Sequence, residues 1–191
     1  MLGGTAAAPQ VLARERLELA APELQGSRQP YHALEGLPLA AARRRLAQFE
    51  KSACDLALAH LRALLARAAA SGHGVRAAAL LDSAGRSGAS LEAILASHAL
   101  IHTADGHHFR AALASACETL GVKTSRIGAR QLTGYAATAL GERADRLTAA
   151  VAALGRGLGP PWGADQKSAA LLAWVELAKS RYSVSKRGSA S

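Results

Sequence analysis

Between residues 39 and 70 the chain carries a helical pattern long enough to constrain most of what surrounds it. Leu46, Phe49, Ala53, Leu56, His60, Leu61 and Leu64 recur at spacings of three and four, with Arg43, Arg44, Lys51, Asp55, Arg62 and Arg67 between them. The pattern predicts one amphipathic helix of about thirty residues, ended by Ser71 and Gly72. Its apolar stripe must be covered along its length. Half of the chain is hydrophobic by count but only 4% is aromatic, so alanine must supply much of the covering surface. Such a chain packs helices closely rather than around large rings. His60 lies on the stripe, where a hydrogen-bonded core histidine and a ligand are the two readings.

After this helix come two short runs next to glycine, the apolar VRAAALL at 75–81 and VKTSRI at 122–127. Length and flanks predict strands, and the helical segments between them predict a crossover, hence a parallel pair. Gly121 supplies the stop for the helix that precedes the second strand. Residues 131–140 and 142–154 read as alanine-rich helices separated by Gly141. The loop GRGLGPPWG follows at 155–163. A last helix begins at Asp165 and carries Leu171, Leu172, Trp174 and Val175. The expected fold is α/β and helix-rich: a small parallel sheet with crossover helices, preceded by a long helix and a mobile N-terminal arm. The arm is residues 1–38, partly disordered, with a short helix at 11–21 ended by Pro22 and with Tyr31 and Leu34 pinning it to the body. A single domain spans 39–178, and a basic disordered tail runs over 179–191.

Twenty-three Lys and Arg against 14 Asp and Glu leave a net charge of +9, which favours a polyanionic partner, nucleic acid first and an acidic membrane surface next. The excess of Arg over Lys fits phosphate recognition and equally a GC-rich coding sequence. Arg43, Arg44 and Arg45 stand at the start of the long helix, where the helix dipole disfavours positive charge. With Arg110, Lys186 and Arg187 they are the candidate phosphate contacts. No apolar run reaches the roughly 18 to 20 residues that span a bilayer. The start, MLGGTAAAPQ, lacks the basic and apolar regions of a secretory signal, so a cytoplasmic protein is expected, with Cys54 and Cys117 as free thiols. Neither a GxSxG elbow nor a glycine-rich phosphate loop occurs, which argues against serine-hydrolase and nucleotide-loop chemistry.

Four of the seven histidines fall in SHALIHTADGHHFR, residues 97–110. His98 and His102 are four apart, so a helix running through them projects both imidazoles from one face, the spacing of two ligands on one ion. Asp105, His107 or His108 would add the third and fourth ligands for zinc, manganese or iron. The alternative makes 103–106 a break between helices, with Asp105 capping the second and the histidines in structural roles.

The order strand, helices, strand, then a helix opening on an acidic residue resembles the second half of the RNase H-like nucleases, the RuvC-type resolvases in particular. The resemblance covers residues 75–178 through topology. It implies carboxylates holding two Mg or Mn ions that activate water and stabilise the leaving oxygen of a phosphodiester. Asp82 matches the acid at a strand end and Asp165 the acid heading the last helix, and Lys167 falls near the phosphate. The family's first three strands and their Asp have no counterpart here; Glu50, Asp55 or Asp105 would replace that acid. Three readings follow. One is a nucleic-acid-acting enzyme in which Asp82, Asp105 and Asp165 hold the ions and His98 or His102 moves a proton. The second is a non-catalytic binding or assembly protein that docks a partner, or a second copy, through the last helix with Trp162 and Trp174. The third is a histidine-rich zinc-binding protein.

Overall fold

The computed structural model describes residues 1–82 and 88–185. The expected fold class is the observed one: helix-rich α/β with a long helix and a small parallel sheet. Among the described residues the order is β1 (Leu2–Thr5), β2 (Ala8–Val11), a 3-10 turn (His32–Leu34), α1 (Leu39–Ala70), β3 (Ala77–Asp82), α2 (Leu91–Leu95), α3 (His98–Thr119), β4 (Lys123–Gly128), α4 (Leu132–Leu140), α5 (Ala144–Leu154) and α6 (Ala164–Ser185). No helix among them is long and apolar enough to cross a membrane.

Where the sequence reads as one body over 39–178, the contacts divide the chain into two compact units. One comprises Met1–Glu15, Arg76–Leu81 and the chain from Ser125 onward; the other comprises Arg16–Val75 and Asp82–Thr124.

In the first unit, β3 and β4 pair, and Ile127 of β4 packs with Leu132, Ala136, Leu147, Val151, Leu171, Leu172 and Val175 from α4, α5 and α6. α6 begins with reciprocal capping: the Gly163 N–H donates to Gln166 Oε1 at 2.9 Å while the Lys167 N–H donates to the Gly163 carbonyl at 3.1 Å. The predicted helix at 11–21 does not form. Residues 2–11 instead make an antiparallel hairpin, with Leu2 opposite Val11 and Thr5 opposite Ala8. LGGT and APQV have low strand propensity, and distant contacts hold the hairpin region in place. The Trp174 indole N–H donates to the Ala6 carbonyl at 2.8 Å. The Arg14 guanidinium donates to the carbonyls of Leu158, Gly159, Pro160 and Pro161, at 2.6 to 3.3 Å. Trp162 donates within the same unit, to the Val151 carbonyl at 3.1 Å.

The second unit is built on α1 against α3. α1 spans 32 residues, close to 48 Å at about 1.5 Å per residue. Its buried stripe is Ala42, Phe49, Ala53, Ala57 and Ala68, so alanine lines the closest contact, with Leu56, Leu58 and Leu61 at its flanks. Ala53 and Ala57 meet Ala112 and Ala116 of α3, a match of spacings of four on both helices. Both helices stop on glycine. Gly72 has φ +75° and Gly121 φ +67°, and the next N–H in each case, His73 and Val122, donates back to the carbonyls of Ala68 and Cys117.

The helix boundary in the histidine stretch also differs from expectation. α2 is capped by Ser90, whose Oγ accepts from the Ala93 N–H at 3.2 Å, and it ends after five residues. The break falls at Ala96 and Ser97, not at 103–106, and α3 runs unbroken from His98 through Gly106. Glycine inside a helix costs about 1 kcal/mol relative to alanine. The buried face formed by Ile101, Asp105, His108, Ala112 and Ala116 continues at spacings of three and four across it and outweighs that cost.

Overpacking the alanine contact will therefore destabilise this unit. Ala57→Leu is expected to lower unfolding free energy by about 1 to 3 kcal/mol in urea denaturation, while Ala63→Leu, exposed on the same helix, should change it by less than about 0.5 kcal/mol.

Candidate metal centre

α3 presents His98, His102 and Asp105 at positions i, i+4 and i+7, one face of the helix. The face lies at the edge of the buried stripe. Asp105 is 8% exposed, while His98 and His102, at its rim, are exposed. Their Nε2 atoms approach to 3.1 Å with ring centroids 4.5 Å apart.

A third imidazole comes from outside the stretch. His32 stands in the 3-10 turn, which Leu34, fully buried, and Tyr31 anchor against Ala42 and Phe49 of α1. Its ring centroid lies 4.5 Å from that of His102 and 5.4 Å from that of His98. One nitrogen from each of the three rings lies within 4.8 Å of the other two. Among the described residues this is the group of histidine, cysteine or acidic side chains close enough to share an ion.

Asp105 does not cap a helix, as the alternative reading of the stretch would have it; it organises the turn that carries His32. The Tyr31 N–H donates to Asp105 Oδ1 at 2.7 Å, and His32 Nδ1 lies 2.5 Å from Oδ2. A carboxylate oxygen accepts, so in the tautomer with its proton on Nδ1 His32 would donate to Asp105 and present its Nε2 lone pair to an ion. A carboxylate behind an imidazole is the usual second layer of a metal site, which fixes the tautomer and the ring direction.

The other predicted residues go elsewhere. His107 is half a turn from His98 and exposed on the opposite side of α3. His108 faces the core, edge-on to Tyr31 and Phe109 at 6.4 and 5.0 Å. Asp82 ends β3, as expected, and Asp165 lies exposed in the first turn of α6. Asp165 lines a cavity of about 280 Å³ with Arg14, Glu15, Trp162 and Gln166, and Lys167 is exposed. Asp82 and Asp105 belong to the second unit and Asp165 to the first.

Of the candidate phosphate contacts, Arg43 pairs with Glu92 at 2.9 Å. Arg45 donates to the Gln25 carbonyl at 2.7 Å and lies over the Phe49 ring. Arg44 is exposed, and Arg110 is half-buried on α3. Lys186 and Arg187 lie outside the described residues. His60, the one histidine of α1, contacts the Glu18 carbonyl through Nε2 at 3.0 Å.

Burial dominates the ionisation of the groups beneath the site. It lowers the His108 pKa below the ordinary value, against the opposing pull of Asp105 and a hydrogen bond to the Phe49 backbone. It raises the Tyr31 hydroxyl, with the charges of Glu50 and Asp105 adding to it, and it raises Glu50. A histidine held neutral by burial stabilises the fold fully above its unfolded value of 6.5, and the contribution is lost as pH falls from there toward the folded value. The midpoint of thermal unfolding should therefore fall as pH is lowered below about 6.5, and His108→Gln should show a shallower fall than the parent chain. No family model matches this chain, and neither does any curated protein or solved structure.

Proposed function

We propose that the protein binds one divalent ion of the zinc class through the imidazoles of His32, His98 and His102, with Asp105 holding His32 in register. The observation that carries this reading is the convergence of three ring nitrogens within 4.8 Å in front of a carboxylate already bonded to one of the rings. Zinc takes imidazole nitrogen at about 2.0 to 2.1 Å, which sets tetrahedral ligand atoms about 3.3 Å apart. His98 and His102 stand at 3.1 Å, and the His32 nitrogen, within 4.8 Å of both, closes on the ion by a side-chain rotation. Imidazole suits zinc, copper, nickel and iron, whereas magnesium seeks oxygen.

A nuclease of the RNase H-like kind would use Mg or Mn on Asp82, Asp105 and Asp165. Both oxygens of Asp105 are committed as acceptors to Tyr31 and His32, which weighs toward the imidazole site. The nucleic-acid reading draws on the net charge of +9, a general attraction, while the histidine site makes a specific chemical demand.

Metal-stripped protein titrated with zinc in a calorimeter should take up one ion per chain. Each of His32→Ala, His98→Ala and His102→Ala should weaken binding by at least about 100-fold, and Asp105→Asn by about 10 to 100-fold. Binding indifferent to all four changes would place the ion elsewhere and sink the reading.

A further inference from the structure

Resting on the imidazole site just described, we infer that the ion's fourth position is open to solvent and takes an exchangeable anionic ligand. Structural zinc sites close with four protein ligands, whereas sites that work on a substrate keep three and leave one position to water. The side chains around the triad decide between the two.

Asp105 is the acid nearest the three rings, and it cannot turn to the ion. Its Oδ1 accepts from the Tyr31 N–H and its Oδ2 faces His32 Nδ1, so a swing toward the ion would cost both hydrogen bonds and leave a part-buried backbone donor without its partner. His107 projects from the opposite side of α3. His108 is 6% exposed and packed edge-on against Tyr31 and Phe109. Cys117 is buried about four turns further along α3 than His102 and about five further than His98, beyond the reach of a shared ion. Among the described residues no fourth histidine, cysteine, aspartate or glutamate joins the group.

The direction of the opening follows from burial. His32 is half-buried with Asp105 behind it, and His98 and His102 are exposed, so the uncovered side of the triad is the solvent side. Neutral imidazoles bring no charge to the ion, and Asp105 offsets part of its double charge only through His32. The open position therefore attracts a small anion or an ionisable oxygen, and a water there would be acidified.

Cobalt is the probe, because its visible spectrum reports coordination number and ligand exchange. The full chain loaded with Co(II) should give the intense bands of a four-coordinate ion, and azide should shift them saturably. His107→Ala should leave both spectrum and azide response unchanged. Bands that ignore azide, or that change on His107→Ala in the absence of azide, would mean a protein side chain fills the fourth position and would overturn the inference while leaving the site itself standing. Failure of cobalt and zinc alike to bind would remove the site, and the inference with it.

Discussion

The contact of α1 with α3 through alanine is the constraint on which the histidine site depends. Ala53 and Ala57 on one helix and Ala112 and Ala116 on the other are all at most 3% exposed. Alanine loses no rotamer freedom on burial and lets two helices approach at the short end of the usual 8 to 10 Å range. Contacts of that kind leave little room for rotation of α3 about its axis, and the rotation of α3 decides where His98, His102 and Asp105 point. A core of large flexible side chains would tolerate more slack. The precision of the site comes from the smallness of residues ten or more positions further along the helix than its two histidines.

A second dependence runs through the 3-10 turn. Leu34 is fully buried among Ala42, Phe49, Leu91 and Leu95, so the turn is seated by an apolar side chain on the opposite flank from its histidine. Apolar seating supplies most of the free energy, and Asp105 then supplies direction through two hydrogen bonds of fixed geometry. The two roles fall on neighbouring residues, because a turn this tight puts positions 31, 32 and 34 on different sides of itself.

Much of the architecture was legible because its signals are local. The strands expected at 75–81 and 122–127 appear at Ala77–Asp82 and Lys123–Gly128, and the long helix ends where Ser71 and Gly72 end it. Half of the site was legible too: the spacing of four between His98 and His102 places their rings together. His32 was not, since it lies 66 residues before His98 and nothing in spacing or composition links the two. Tyr31 and Leu34 did read as anchors for that segment, and His32 is one of the two residues between them. The continuity of α3 was hidden for a different reason. Thr103, Asp105 and Gly106 each disfavour a helix locally, and a buried face extending over about four turns overrides them. The hairpin at the start of the chain was obscured by glycine and proline in its strands, and the Trp174 contact that steadies it is 168 residues away.

Asp105 accepts from two consecutive residues of the turn, one through its backbone and one through its ring. That arrangement ties the carboxylate to the histidines through the number of residues of α3 between His98 and Asp105. One inserted residue there would turn the carboxylate by about 100° away from the histidines, and two would carry it to the far side of the helix. Lineages of this chain are expected to vary freely in side chains on the outer face of α3. Within those eight positions they should accept substitutions and refuse insertions, and only an insertion of about a full turn would bring the three groups back onto one face.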